Sequence, residues 1–239
     1  MIELVVFDLA GTTVHDGDSV GSTFQAALAA RGVEADPAAI AAVMGLPKPE
    51  AIRILLKQFG QPRGLPDTAE NIDAIHADFT RRMCAYYATS PDVHEVPGAS
   101  AVFRELRRGG IKVAVSTGFF RPIVDVLLRR LGWHASGLID ASVTSDEVPR
   151  GRPHPDMIRR LMARCGVNDS HRVAKVGDTP VDLEEGTNAG CKLVIGVTTG
   201  SATADRLRQF PHTHIVDSVT AVPTLIAPSP RDSGTAKSG

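Results

Sequence analysis

The period of the apolar positions changes once along this chain. Residues 4–7 form an unbroken apolar run, short enough for one buried strand. From 15 to 95 the period is helical. Phe24, Ala27 and Leu28 mark a helix over 22–31 that stops at Gly32, and a short helix follows over 38–43. The turn Met44-Gly45-Leu46-Pro47-Lys48-Pro49 interrupts it. Ile52, Leu55, Leu56 and Phe59 then share one face of a helix over 50–59, and a long helix covers 68–87. Beyond 98, short apolar runs alternate with helical stretches. Strands are expected at 112–115, 138–139 with 142–144, 173–176, 193–197 and 213–216, and helices at 99–108, 122–131, 155–165, 182–189, 204–209 and 219–226.

Strand–helix alternation predicts an α/β fold, a Rossmann-like parallel sheet wrapped by helices. The helical stretch reads as a cap domain over 15–95, inserted after the first strand of a core formed by 1–14 and 96–226. The Ser/Gly/Pro-rich segment 227–239 is expected to be a disordered tail. A formal charge of -1 over 239 residues argues against nucleic-acid and membrane partners. Three widely spaced cysteines form neither a disulfide framework nor a metal-ligand pattern, and read as free buried thiols. No signal pattern and no apolar run approaching ~18 residues is present, so a cytoplasmic location is expected.

Polar groups recur where the strands end. They are Asp8 with Gly11 and Thr12, then Ser116-Thr117-Gly118, then Asp178 with Asp182, and Thr198-Thr199-Gly200; Arg150-Gly-Arg152-Pro lies between the second and third. Each alone could be a cap or a turn. Together they fall on one rim of a parallel sheet, where ligands bind. Converging carboxylates repel unless a cation joins them, and Mg²⁺ takes one or two carboxylates with substrate oxygens and waters. Asp178 and Asp182 would share a helical face if a helix began at or just after Asp178. Ser116 and Arg152 would offer a hydrogen bond and a fixed positive charge to an anion, with backbone N–H groups around Gly11 and Gly118. The set suits a phosphoryl group attacked by Asp8.

The order Asp-x-x-Gly-Thr, apolar strand with Ser/Thr, Arg-Pro, then Gly-Asp-x-x-x-Asp resembles the haloacid dehalogenase superfamily over nearly all of 1–226. The resemblance implies Asp8 as nucleophile. It implies phosphate or substrate contacts from Ala10, Gly11, Thr12, Ser116, Thr117, Gly118 and Arg152, and a Mg²⁺ site at Asp8, Ala10, Asp178 and Asp182. Phosphatases of that superfamily carry a second Asp two residues after the nucleophile, where this chain has Ala10. Asp8-x-Ala10-Gly-Thr-Thr-Val, Ser145-Asp-Glu-Val-Pro-Arg-Gly-Arg-Pro and Lys175-Val-Gly-Asp-Thr-Pro-Val-Asp182 are similar to the phosphonatase (phosphonoacetaldehyde hydrolase) subgroup. There a cap lysine forms a Schiff base with the aldehyde, so no alkoxide leaves.

Lys48 matches that lysine, although the subgroup's His three residues later is Ala51 here and Pro47 and Pro49 flank the lysine. Lys48 as Schiff-base former, substrate-binding charge or surface charge all stay open. Three functions follow: a phosphonatase-type hydrolase, a phosphatase of a small phosphorylated metabolite, and an inactive binding protein, to which the intact acidic and basic set is opposed. The expected partner is a small phosphorylated or phosphonate substrate. The cap is expected to close over the core, with hinges near 15–17 and 92–98. An apolar face on the first insert helix could pair two chains as a homodimer. Phe119 and Phe120 fit either the cap–core crevice or the core, and His212 and His214 read as surface or core rather than ligands.

Overall fold

The computed structural model describes residues 1–226, and the tail expected over 227–239 lies outside them. Six strands form one sheet: β1 (Leu4–Phe7), β2 (Lys112–Thr117), β3 (Ala141–Thr144), β4 (Val173–Gly177), β5 (Leu193–Val197) and β6 (His214–Val216). Their spatial order is β3-β2-β1-β4-β5-β6 and every pairing is parallel. All four residues of β1 are buried because the strand has a partner on each side and helices on both faces. Val5 and Phe7 join one apolar cluster, and Leu4 and Val6 join a second, with Met157, Ile158 and Leu161 of α7 (Asp156–Cys165). The chain leaves β1 for β2 on one side and reaches β4 on the other, so the crevice beyond β1 and β4 is the switch point of the sheet.

Between β1 and α5 (Ala99–Arg108) lie four helices and no strand: α1 (Ser19–Ala29), α2 (Pro37–Ala42), α3 (Lys48–Leu55) and α4 (Ala69–Thr89). Phe24 of α1 meets Phe79 of α4 edge-on, with ring centroids 5.6 Å apart. Helix α4 in turn packs on α6 (Arg121–Leu131), and Tyr87 and Phe79 reach Phe119 at 6.0 and 6.3 Å. The apolar interior therefore runs without a break from the sheet into the insert. The apolar face of α1, expected to be free for pairing two chains, is used up inside the chain by α4. Among the described residues only Met1 and Ile54 are exposed large apolar side chains.

Several boundaries differ from expectation, and those near the site have clear causes. Helix α3 begins at Lys48 rather than at 50, because Pro49 occupies the first turn, where a missing N–H costs nothing. It ends at Leu55 and runs on as a π-turn over Leu56–Gly60. Helix α8 (Pro180–Ala189) starts after Thr179, so Asp178 sits in the loop and does not share a helical face with Asp182. Leu138 and Ile139 are buried ahead of β3 rather than within it. Cys84, Cys165 and Cys191 are free and half-buried. No helix among the described residues is long and apolar enough to cross a membrane.

Candidate active site

The end of β1 delivers Asp8 into the switch-point crevice, where its N–H donates to the Val176 carbonyl of β4 at 2.9 Å. The loop after it is tight: the amides of Thr12, Thr13 and Val14 all donate to the Leu9 carbonyl. Gly11 makes that turn possible at φ +83°, and a Cβ there would stand 2.6 Å from Asp178 Oδ2. The loop thus presses directly on the carboxylate that follows β4.

Asp8, Asp178 and Asp182 are buried and offer oxygens that all lie within 4.8 Å of one another. Their surroundings separate them. Asp182 is held by cations: Arg152 and Lys175 both reach Oδ1, the latter at 3.0 Å, while Thr179 donates its N–H to Oδ2 at 3.2 Å. Burial pushes its carboxyl upward, but Arg152 and Lys175 outweigh that and hold it down at about 2. Asp178 accepts from Thr12 Oγ1 at 2.9 Å and from the Ser201 N–H at 2.9 Å. Burial and the Asp182 charge still raise it to about 6. Asp8 is raised to about 7, chiefly by burial, with Arg152 opposing. Its Oδ1 lies 3.0 Å from Arg152 Nη1 yet is not aligned for a hydrogen bond, so that buried oxygen has no hydrogen-bond partner. Two under-compensated carboxylates and an all-oxygen donor set suit a hard divalent cation held by Asp8 and Asp178. Both Asp182 oxygens are already engaged, and Ala10 could contribute only its backbone.

The cavity beside Asp8 is lined by Ala10, Thr117, Gly118 and Arg152 from the sheet side and by Asp16, Met44 and Lys48 from the insert, and holds about 30 Å³. That is room for about two waters. The insert closes it through the turn before α3. Gly45, at φ +83°, abuts the β4–α8 loop so closely that a Cβ would stand 2.6 Å from Thr179 Oγ1. Lys48 is 3% exposed, at the start of α3, with Nζ 5.1 Å from the Phe24 ring centre and 5.4 Å from that of Phe79. Burial, then the Arg152 charge, lower its ammonium to about 8. The surface-charge reading of Lys48 is thereby removed.

Gly11, Ser116 and Thr12 do other work than expected; Gly11 lies outside the cavity lining and donates its N–H to the Val14 carbonyl at 2.8 Å. Ser116 does not line the cavity; its hydroxyl accepts from Lys175 Nζ at 2.8 Å and lies 3.3 Å from Glu185 Oε2, behind the site. Successive strand residues face opposite ways, so its neighbour Thr117 takes the cavity side. Thr12 likewise orients Asp178 rather than lining the cavity. Phe119 lines the crevice, buried against Tyr87.

Sequence reasoning gave no role to Lys175, Glu185, Ser201 or Asp16. Lys175 and Glu185 are fully buried and pair at 2.9 Å. A lysine inside an apolar strand, with a glutamate one helical turn after Asp182, was the signal available. Ser201 is exposed and had none.

The haloacid dehalogenase-like hydrolase family matches residues 2–190. A phosphonoacetaldehyde hydrolase of Bacillus mycoides is 35% identical over 218 residues, covering 84% of this chain and 77% of the relative. One of Syntrophobacter fumaroxidans is 34% identical, covering 79% and 70%. Among solved structures, a phosphonoacetaldehyde hydrolase like protein from Oleispira antarctica superposes with a TM-score of 0.79 at 25% identity, covering 94% of this chain and 91% of that one.

Proposed function

Because the chain belongs to the haloacid dehalogenase-like hydrolases, we propose that it cleaves the carbon–phosphorus bond of phosphonoacetaldehyde or a close analogue. The observation that carries this reading is Lys48, a buried amine lowered to about 8 on the same cavity as Asp8. Ala10 supports it, since a phosphate ester would need the general acid that this position lacks. The relatives called phosphonoacetaldehyde hydrolases support it as well.

The steps follow from the residues. Lys48, as free amine, attacks the aldehyde carbon and loses water to give an iminium. Asp8 attacks phosphorus from the other side of the cavity. The carbon–phosphorus electron pair passes into the iminium, and the phosphoryl group passes to Asp8. Water attacks phosphorus and releases phosphate from Asp8, while the enamine left on Lys48 takes a proton at carbon and the iminium so formed adds water, releasing acetaldehyde and the free Lys48 amine. Arg152 supplies fixed positive charge to the phosphoryl oxygens, and Thr117 with the Gly118 backbone gives hydrogen bonds. Mg²⁺ held by Asp8 and Asp178 would neutralise phosphoryl charge and keep Asp8 ionised. The insert over 15–95 acts as a cap on the core of 1–14 and 96–226, bringing Lys48 to Asp8 and keeping water out until transfer is complete.

The test is incubation with phosphonoacetaldehyde and Mg²⁺, following phosphate and acetaldehyde. Equal release of both, lost in Lys48→Arg, is expected. Absence of release overturns the reading. Ala51, standing where the subgroup has His, favours a second reading: a phosphatase of a small phosphorylated metabolite, with Lys48 as a binding charge. Phosphate release from monoesters that survives Lys48→Arg would identify it.

A further inference from the structure

A lysine that forms an imine needs a partner to move protons, and Ala51 leaves the position three residues after Lys48 without one. Three other carboxylates near the cavity are committed. Asp8 faces phosphorus, Asp178 is tied to Thr12 and Ser201, and Asp182 is tied to Arg152 and Lys175. Asp16 is not committed. It lies in the connection from β1 to α1 and lines the cavity with Lys48 and Ala10. Its Oδ1 accepts from Ser19 Oγ at 2.5 Å and from the Val20 N–H at 3.0 Å, which fixes the carboxyl against the first turn of α1. Both of these bonds fall on Oδ1, and the Ser19 N–H also faces the carboxyl.

Resting on the phosphonatase reading, we propose that Asp16 is the general acid–base for the Lys48 imine. The first adduct is a carbinolamine, a hydroxyl and the Lys48 nitrogen on one carbon. The Asp16 carboxyl gives its proton to that hydroxyl, the C–O bond breaks, water leaves, and the nitrogen lone pair closes the C=N bond. One iminium and one carboxylate result. In the reverse direction, water attacks the iminium carbon and Asp16 takes the proton back.

The surroundings are consistent with this. Burial raises the Asp16 carboxyl, and Ser19 and Val20 temper it. The charges that face it are Lys48 from α3 and Asp18 from its own loop, and the Tyr87 phenol of α4 is held protonated by burial and by Asp16. Of the two carboxylates that favour the Lys48 ammonium, Asp16 acts more strongly than Asp8.

That last relation separates roles. If Asp16 were only a charge beside Lys48, Asp16→Asn would free the amine and speed imine formation. If it transfers the proton, the same change slows it, typically by ~10²–10⁴-fold. Asn keeps an oxygen for Ser19 and Val20, so the fold should survive, as far-UV circular dichroism would record.

The experiment traps the imine of acetaldehyde with borohydride and follows the ethyl group added to Lys48 by mass. In the wild type, the rate should level off at the Asp16 pKa and fall above about 8, where Lys48 titrates. In Asp16→Asn it should be at least about 10-fold slower, rise as far as the Lys48 pKa and show no fall beyond it. Ser19→Ala removes a bond to the ionised form and should move the lower inflection to higher pH. Equal or faster labelling in Asp16→Asn, with the wild-type pH profile, overturns the proposal and leaves the phosphonatase reading standing. No labelling of the wild type overturns both.

Discussion

Replacing Lys48 by Met should make the protein more stable while abolishing turnover. Lys48 is 3% exposed and lowered from 10.5 to about 8, so the folded chain disfavours its charge. At about 1.4 kcal/mol per pH unit, that is about 3 kcal/mol of folding free energy withheld at neutral pH. Attraction to the Phe24 and Phe79 rings, 5.1 and 5.4 Å away, returns some of it, about 1 kcal/mol. Met has a similar length and fills an apolar slot well. The expected gain at pH 7 is therefore about 1–3 kcal/mol, or roughly 2–12 °C in Tm for a chain of this size. The pH dependence fixes the cause. Between pH 8 and 10.5 the unfolded chain holds the Lys48 proton and the folded chain does not, so wild-type stability rises with pH there. Met at this position has no such rise. The advantage of Lys48→Met should be complete below pH 8 and gone near 10.5. Urea denaturation of both proteins at pH 7 and pH 10 measures it. A variant less stable than wild type at pH 7, or an advantage that persists unchanged at pH 10, would refute the reasoning.

Gly11→Ala places a Cβ 2.6 Å from Asp178 Oδ2 at φ +83°, so it should raise the Mg²⁺ concentration for half activity by at least about 10-fold, read from a metal titration. Ala10→Asp restores a carboxyl beside Asp8. It should raise hydrolysis of an alkyl phosphate monoester by at least about 10-fold; no gain would mean that the cavity does not present the acid to a leaving oxygen. Without metal, Asp8 at about 7 and Asp178 at about 6 bind protons in the folded state that the unfolded chain has released. Stability of the metal-free protein should therefore fall as pH rises from about 4 to 7. Added Mg²⁺ should raise Tm more at pH 8 than at pH 5, and thermal melts with and without EDTA would check this.

The sheet could be read from the sequence because its strands are short apolar runs that stop at Asp, Ser-Thr-Gly or Gly-Asp. A run buried on both faces needs no partner information to be recognised. Asp8, Arg152 and Asp178 were legible for the same reason, since strand ends of a parallel sheet converge. The direction of a side chain was less legible. Ser116 and Thr117 are adjacent hydroxyls, and only the register of β2 decides that Thr117 faces the cavity while Ser116 meets Lys175. Asp182 belonged to the expected metal set through the family resemblance and its spacing from Asp178. Its cations come from 30 residues upstream, in Arg152, and from the neighbouring strand, in Lys175. The apolar face of α1 looked available because its cover, α4, lies beyond a loop of Gly and Pro.

The cavity of about 30 Å³ has a consequence for affinity. If the insert must lift before the cavity is filled, only the open fraction competes for ligand. Measured Kd is then the intrinsic value divided by that fraction. Phe79 and Tyr87 of the insert are buried against Phe119, a contact that such lifting would break. The contact between those rings would then weigh on the affinity for every substrate, in addition to the places of Phe119 on the cavity wall and of Phe79 beside Lys48.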